Sequence, residues 1–286
     1  MKSAKKGSRA LRIVSLDGQP VDQLPFTSAQ PGGKGAAHVW LPVYAGQISG
    51  LPEEIDGMII ASDLQGISGH KAVGEAPDKQ IGEELADWLP VLLEAVFPVL
   101  RLDKVMVLLC GDLYGDPAKR GSSGDPLPVW NAFQRSFQTV IGVAGNHDLF
   151  TPEGVELLKN TPGIDCYATP KIAEHRGIKA AGLGGVIGRA DKPNRLPESD
   201  YLGALHRLLR SGPELLMLHQ GPDVPSRQLP GEPGIRQVLE RMPPLLVACG
   251  HVHWEQPLAE LDNGTQVINA DGRVYILVRA AEGVQH

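Results

Sequence analysis

Five times along this chain an apolar, strand-like run stops abruptly at residues carrying oxygen or imidazole donors, and this recurrence limits the fold more than any other feature. Residues 57–62 run into Asp63-Leu64-Gln65-Gly66, and 105–110 run into Gly111-Asp112. Residues 140–144 run into Gly145-Asn146-His147-Asp148, 215–218 into His219, and 245–249 into Gly250-His251-Val252-His253. Continuous apolar runs of this length read as strands buried on both faces. In α/β sheets ligands collect outside the carboxyl ends of such strands. Five polar endings therefore predict one shared site.

The donors at those endings are two carboxylates (Asp63, Asp112), two amide oxygens (Gln65, Asn146) and a set of imidazoles (His147, His219, His251, His253). An O/N set without thiolate suits Mn, Fe, Zn or Mg. Gly66, Gly111, Gly145 and Gly250 abut the donors, where a missing side chain permits tight turns and close approach. Taken singly, each ending has a plain reading as a cap, a turn or a solvated loop. The joint occurrence, each ending after its own apolar run, carries the signal.

The remaining pattern alternates strand and helix. Strands are expected over 11–16, 38–43, 57–62, 104–110, 139–143, 178–183, 214–218 and 245–248, with 266–269 and 273–278 as a final hairpin turned at Ala270-Asp271-Gly272. Helices are expected over 79–99, 129–137, 152–159, 200–210 and 234–241. In the second of these, Trp130, Phe133 and Phe137 recur at helical spacing and are assigned to the core.

At 286 residues the chain can hold one large α/β domain or two small ones. With no repeat or long linker, a single domain over 11–286 is expected. Residues 1–10, with Lys2, Lys5, Lys6 and Arg9, read as a basic disordered tail. Residues 11–52 read as a strand-containing extension that adds to a sheet edge, covers a face or mediates dimerisation. The most apolar stretch, 87–110, is broken by Pro90, Glu94, Pro98, Arg101, Asp103 and Lys104 and cannot span a membrane. The segment 11–16 is too short for a signal peptide, and three cysteines point to reduced thiols; together these predict a cytoplasmic location. A net charge of −6 gives no global pull towards nucleic acid, though it does not exclude one. Oligomeric state is left open.

These motifs resemble the calcineurin-like metallophosphoesterase superfamily, over residues 55–278. Gly145-Asn146-His147-Asp148 and Gly250-His251-Val252-His253 match the family's pattern in full, and Asp63, Gly111-Asp112 and His219 fall in its order. The glycine-rich stretch 181–188 is similar to one that often precedes the lone histidine. The resemblance implies a four-layer αββα sandwich of two mixed β-sheets flanked by helices. It also implies two divalent metal ions. Asp112 would bridge them; Asp63, Gln65 and His253 would complete one site, and Asn146, His219 and His251 the other. His147 would protonate the leaving oxygen or bind phosphate, with Asp148 orienting it.

Two departures bear on this. Gln65 stands where most members have histidine, and an amide oxygen is a harder, weaker donor than imidazole, which favours Mn or Mg over Zn. A similar Asp-x-Gln occurs in the manganese-dependent ADP-ribose/CDP-alcohol diphosphatases, and His70 is a candidate substitute ligand. Gly115 stands where many members carry a second aspartate, with Asp116 one position later. The following loop offers Lys119 and Arg120 as candidate binders of a substrate phosphate.

The expected chemistry is hydrolysis of a phosphodiester or pyrophosphate bond in a small, nucleotide-like molecule by a metal-bridging hydroxide, with manganese the favoured ion. A phosphomonoesterase (including a protein phosphatase), a nuclease and a catalytically silent binding scaffold are the competing readings.

Overall fold

The computed structural model describes residues 10–30, 35–69 and 79–281. The expected tail falls almost wholly outside the described residues, as does His70. Eight strands come first in the chain: β1 (Arg12–Leu16), β2 (Asp22–Ala29), β3 (Ala36–Ser49), β4 (Gly57–Ser62), β5 (Ile67–Ser68), β6 (Val105–Leu109), β7 (Thr139–Val143) and β8 (Ile164–Tyr167). The second sheet draws on β9 (Lys171–His175), β10 (Ile178–Leu183), β13 (Leu215–Gln220), β14 (Leu246–Gly250), β15 (Leu258–Glu260) and β16 (Gln266–Asn269). A short pair, β11 (Val186–Ile187) and β12 (Arg195–Leu196), lies apart, and β17 (Arg273–Arg279) is last. Five α-helices occur among the described residues: α1 (Ile81–Val96), α2 (Leu127–Ser136), α3 (Pro152–Asn160), α4 (Glu198–Leu209) and α5 (Pro233–Glu240).

The first sheet runs β5-β2-β3-β17-β4-β6-β7-β8, with β1 also on β3; the second runs β15-β16-β14-β13-β10-β9. Both are mixed. β4, β6, β7 and β8 are parallel while β17 is antiparallel to β4. β10, β13, β14 and β16 are parallel while β9 and β15 are not.

Strand pleating sorts each apolar run into two layers of core. Ile59, Ala61, Val107 and Leu109 face α1 and α2, where Leu85, Leu89, Trp130 and Phe133 cover them. Their chain neighbours Met58, Ile60, Met106 and Leu108 face the second sheet, meeting Leu215, Met217, Leu246 and Ala248. The other face of that sheet, with Leu216, Leu218, Val247 and Cys249, packs on Tyr201 and Leu205 of α4 and Ile235 and Leu239 of α5. The order is helix, sheet, sheet, helix, as the resemblance implies. Trp130, Phe133 and Phe137 are all buried, in keeping with their assignment to packing.

One expectation fails. Residues 266–269 and 273–278 do not pair with each other: β16 lies beside β14 in the second sheet, and β17 lies between β3 and β4 in the first. The Asp-Gly turn signal is local and cannot tell a hairpin from a crossing between sheets. Every residue of β16 is buried and so are four of β17, and each gains an interior place with two neighbours. The extension supplies β1, β2 and β3 to the first sheet, on the β17 side. β3 is 14 residues long and interior, and β2, which its Pro25 and polar residues concealed, pairs with it from Asp22↔Val43 to Ala29↔Ala36.

Candidate metal centre

The five predicted endings meet at one end of the sandwich. β4, β6 and β7 are adjacent in the first sheet, β13 and β14 in the second, and their carboxyl ends face each other across the inner core. The approach is close: a Cβ on Gly250 would run into Ser62 Oγ and Asp63 Oδ2 from the opposite sheet. Asp63 N–H donates to Gly111 O at 2.9 Å, tying the first two loops together. Asp63, Asp112 and His251 all take a left-handed backbone, with φ of 56°, 54° and 71°. Each such non-glycine residue costs about 1–3 kcal/mol and persists only where the surroundings over-determine it.

Asp112, His219 and His251 bring one ligand atom apiece within 4.8 Å of one another. His219 is fully buried; its Nδ1–H donates to Cys110 O at 2.9 Å, which leaves the Nε2 lone pair facing inward. There Nε2 stands 3.2 Å from Asn146 Oδ1 and 3.4 Å from Asp112 Oδ2. Three acceptors thus converge on a space that only a proton or a cation can fill. Burial opposes a charge on His219, but Asp112 and Asp63 overcome it and raise the imidazole to about 10. Asp112 moves down: burial resists, and the charge and hydrogen bond of His219 prevail. His251, half-buried, is lowered to about 4 by burial and by His219. The donor set fits a divalent ion, which would satisfy all these groups together.

The other expected ligands stand differently. The residue Asp63 keeps an exposed edge, but its carboxylate is enclosed, and burial pushes it up to about 8, with Asp271 and Asp112 adding repulsion against the pull of His219. Its Oδ2 accepts from Ser62 Oγ at 2.7 Å and from His251 N at 2.9 Å. Gln65 turns Nε2 towards Asp112 Oδ2 at 3.3 Å. His253 is exposed and held at both ring nitrogens, with Nδ1 3.0 Å from Asp271 Oδ2 and Nε2 3.0 Å from Arg273.

His147 N–H donates to Asp112 Oδ1 at 2.8 Å, and its Nδ1 lies 3.1 Å from Ser123 Oγ. The partner at Nδ1 is therefore Ser123 where Asp148 was expected. Both oxygens of Asp148 are taken by backbone N–H groups of Asp112, Leu113 and Gly145, all at 2.8 Å. Asp148 thus ties the loops after β6 and β7 into one body, and burial raises its carboxyl to about 6 against those bonds. Gly115 lies against the backbone of Gln65 and Gly66, so no aspartate side chain fits there.

Several contributors were invisible to sequence reasoning. Ser123 and Asn194 belong to no motif, yet Asn194 Nδ2 donates to the carbonyls of Gly145 at 2.9 Å and Asp148 at 2.5 Å. Asp271 and Arg273 were hidden by the hairpin expectation; only the crossing between sheets brings them to His253. Arg195, from β12, is near enough for its charge to bear on His251. A glycine-rich run before an Asn-Arg pair was the one available signal. Lys119 and Arg120 are exposed and line a cleft that Gln65 also lines. Cys110, Cys166 and Cys249 are free thiols, and no helix among the described residues is long and apolar enough to cross a membrane.

Residues 59–255 match the sequence profile of the family described as calcineurin-like phosphoesterase. Among solved structures, the chain is similar to TT1561 of Thermus thermophilus at 17% identity, covering 76% of this chain and 90% of that one, with a TM-score of 0.54. Weaker likenesses include the NAD nucleotidase NadN of Haemophilus influenzae, at 14% identity over 75% of this chain and 50% of that one, with a TM-score of 0.42. The phosphopantetheinyl hydrolase PptH of Mycobacterium tuberculosis matches at 15% identity over 79% and 89%, with a TM-score of 0.41. No curated protein matches the chain.

Proposed function

The chain belongs to the calcineurin-like phosphoesterase family, and on that premise we propose that it is a two-metal hydrolase of phosphodiester or pyrophosphate bonds in small, nucleotide-like molecules. The observation that carries the reading is the convergence of Asp112, His219 and His251 within 4.8 Å, with Asn146 Oδ1 alongside. Asp112, Asn146, His219 and His251 would hold one ion. Asp63, Gln65 and His253, with Asp112 shared, would hold the second. When bound, two such ions supply Lewis acidity to the phosphoryl group and lower the pKa of water.

The protein's own groups divide the remaining work. His219 keeps Nε2 available because Nδ1–H is committed to Cys110 O, the arrangement that fixes tautomer and aim in ligating histidines. His253 would keep Nδ1–H on Asp271 and give up Arg273 at Nε2. Half a turn of the Gln65 amide would offer Oε1 in place of Nε2. His147 has Ser123 at Nδ1 and no protein partner at Nε2 among the described residues, the atom from which a proton would pass to the leaving oxygen. Asp148 holds the backbone on which Asp112 and His147 are mounted, so its part is positional.

Manganese is the favoured ion, because Gln65 replaces an imidazole by a harder oxygen. The test strips the protein with EDTA, restores Mn²⁺, Zn²⁺ or Mg²⁺, and assays bis-p-nitrophenyl phosphate beside p-nitrophenyl phosphate. Mn²⁺-dependent turnover with the diester preferred is expected. Absence of turnover with every ion would leave the chain a binding scaffold, and a preference for the monoester would make it a phosphomonoesterase.

A further inference from the structure

Beside the centre lies a cleft of about 220 Å³ walled on one side by the tip of β2, at Ser28 and Ala29, and on the other by the loop carrying Lys119, Arg120 and Gly121. Gln65 also lines it, and Gln65 Nε2 is 3.3 Å from Asp112 Oδ2, so the cleft adjoins the proposed metal site. A volume of this size holds one substituent of a ligand, since pockets for whole drug-sized molecules run to roughly 300–1,000 Å³.

Both walls are fixed. On the β2 side, Ser28 Oγ–H donates to Gln65 O at 2.9 Å, and β2 pairs with β5 through Phe26↔Ser68 and Thr27↔Ile67. On the loop side, Gly115 N–H donates to Gln80 Oε1, Asp116 N–H to Ser122 Oγ and Ala118 N–H to Asp116 Oδ1, each at 2.8 Å. The loop's far end is tied to the motif after β7: Gly124 N–H donates to His147 O at 3.1 Å and Leu149 N–H to Gly124 O at 2.7 Å. Asp116 also lines the cleft, with one oxygen already engaged by Ala118, against two cations. Neither the Lys119 ammonium nor the Arg120 guanidinium has a hydrogen-bond or ion-pair partner among the described residues, although Asp116 is close by in the same loop.

We propose that this cleft is a subsite for a second anionic group, a phosphate next to the scissile one, bound by Lys119 and Arg120. The inference rests on the phosphoesterase reading and narrows it: the natural substrate is a phosphoanhydride or a diester bearing a further phosphate, not a simple monoester. It also gives the N-terminal extension a task, since the β2 tip supplies one wall. A guanidinium and an ammonium met by one phosphate form charge-assisted bonds, for which Arg and Lys are suited in different ways.

The test is equilibrium binding, which does not depend on turnover. The full chain, with Mn²⁺ held in excess, is titrated calorimetrically with AMP and with ADP in its non-hydrolysable α,β-methylene form, and the ratio of the two dissociation constants isolates the second phosphate. For the unaltered protein ADP should bind at least about tenfold tighter. The double substitution Lys119→Ala/Arg120→Ala should erase most of that ratio while AMP affinity and Mn content stay unchanged. Lys119→Arg should keep it, and Ser28→Trp, which fills the cleft from the other wall, should lose it. An ADP/AMP ratio near one in the unaltered protein, or a ratio that survives the double substitution, overturns the subsite. Failure of the phosphoesterase reading shows separately, as no hydrolysis of either nitrophenyl ester with any ion.

Discussion

The two halves of the centre differ in how far the protein has committed them. Asp112, Asn146 and His219 are buried and turn their ligand atoms towards one another, with the half-buried His251 closing the group. Asp63, Gln65 and His253 each have a protein partner already: Ser62 and the His251 amide, Asp112, and the pair Asp271 and Arg273. The first half has its ligand atoms already gathered, bridged by a proton that a metal ion would displace. The second is a set of satisfied side chains that an ion must win from their neighbours. A pre-formed site binds without reorganisation, and a site that must exchange partners binds more weakly by the free energy of the contacts it gives up.

That contrast can be broken experimentally. The largest effect is expected for Asp112→Asn, which removes the charge shared by both halves. Activity should fall more than about a hundredfold, beyond the range typical of residues behind the ligands, and elemental analysis should find fewer than two ions per chain. A variant that keeps both ions and its turnover would show that the halves do not meet at Asp112. An intermediate effect is expected for Arg273→Ala, which releases His253 Nε2. Affinity for the weaker-bound Mn²⁺, read by titration of apo-protein, should rise roughly tenfold, the scale on which outer residues tune a metal site. Unchanged affinity would remove His253 from the ligand set. The smallest effect is expected for Gln65→His, which should move the balance from Mn²⁺ towards Zn²⁺ by a few-fold in competition, with little loss of activity. No change in metal preference would mean that Gln65 stays on Asp112 and does not ligate.

The same division separates what is legible in the sequence from what is not. The strands that build the secure half, β6, β7, β13 and β14, were legible because each is a continuous apolar run buried on both faces, and such runs have few alternatives. Their endings were legible because Asp112, Asn146, His219 and His251 sit in short, ordered motifs. The other half depends on partners far away in sequence. Asp271 and Arg273 reach His253 only because the chain crosses from β16 to β17 between sheets, and an Asp-Gly turn says nothing about that crossing. Ser123 and Asn194 touch the centre from loops with no periodicity. β2 was missed because Pro25 and its polar residues mask a strand held by neighbours on both sides.

What the sequence alone determined is the alternation of buried strands with helices and the set of donors at the strand ends, because hydrophobic period and residue chemistry are local properties. What only the tertiary structure decided is which atoms are spoken for. The commitment of Asp148 to three backbone N–H groups and of His147 to Ser123, the hold of Arg273 on His253 and the cleft between the β2 tip and Lys119 and Arg120 all arise where segments remote in the chain pack together. Packing is set by the simultaneous satisfaction of burial and hydrogen bonding over the whole molecule, and no single stretch of residues contains that information.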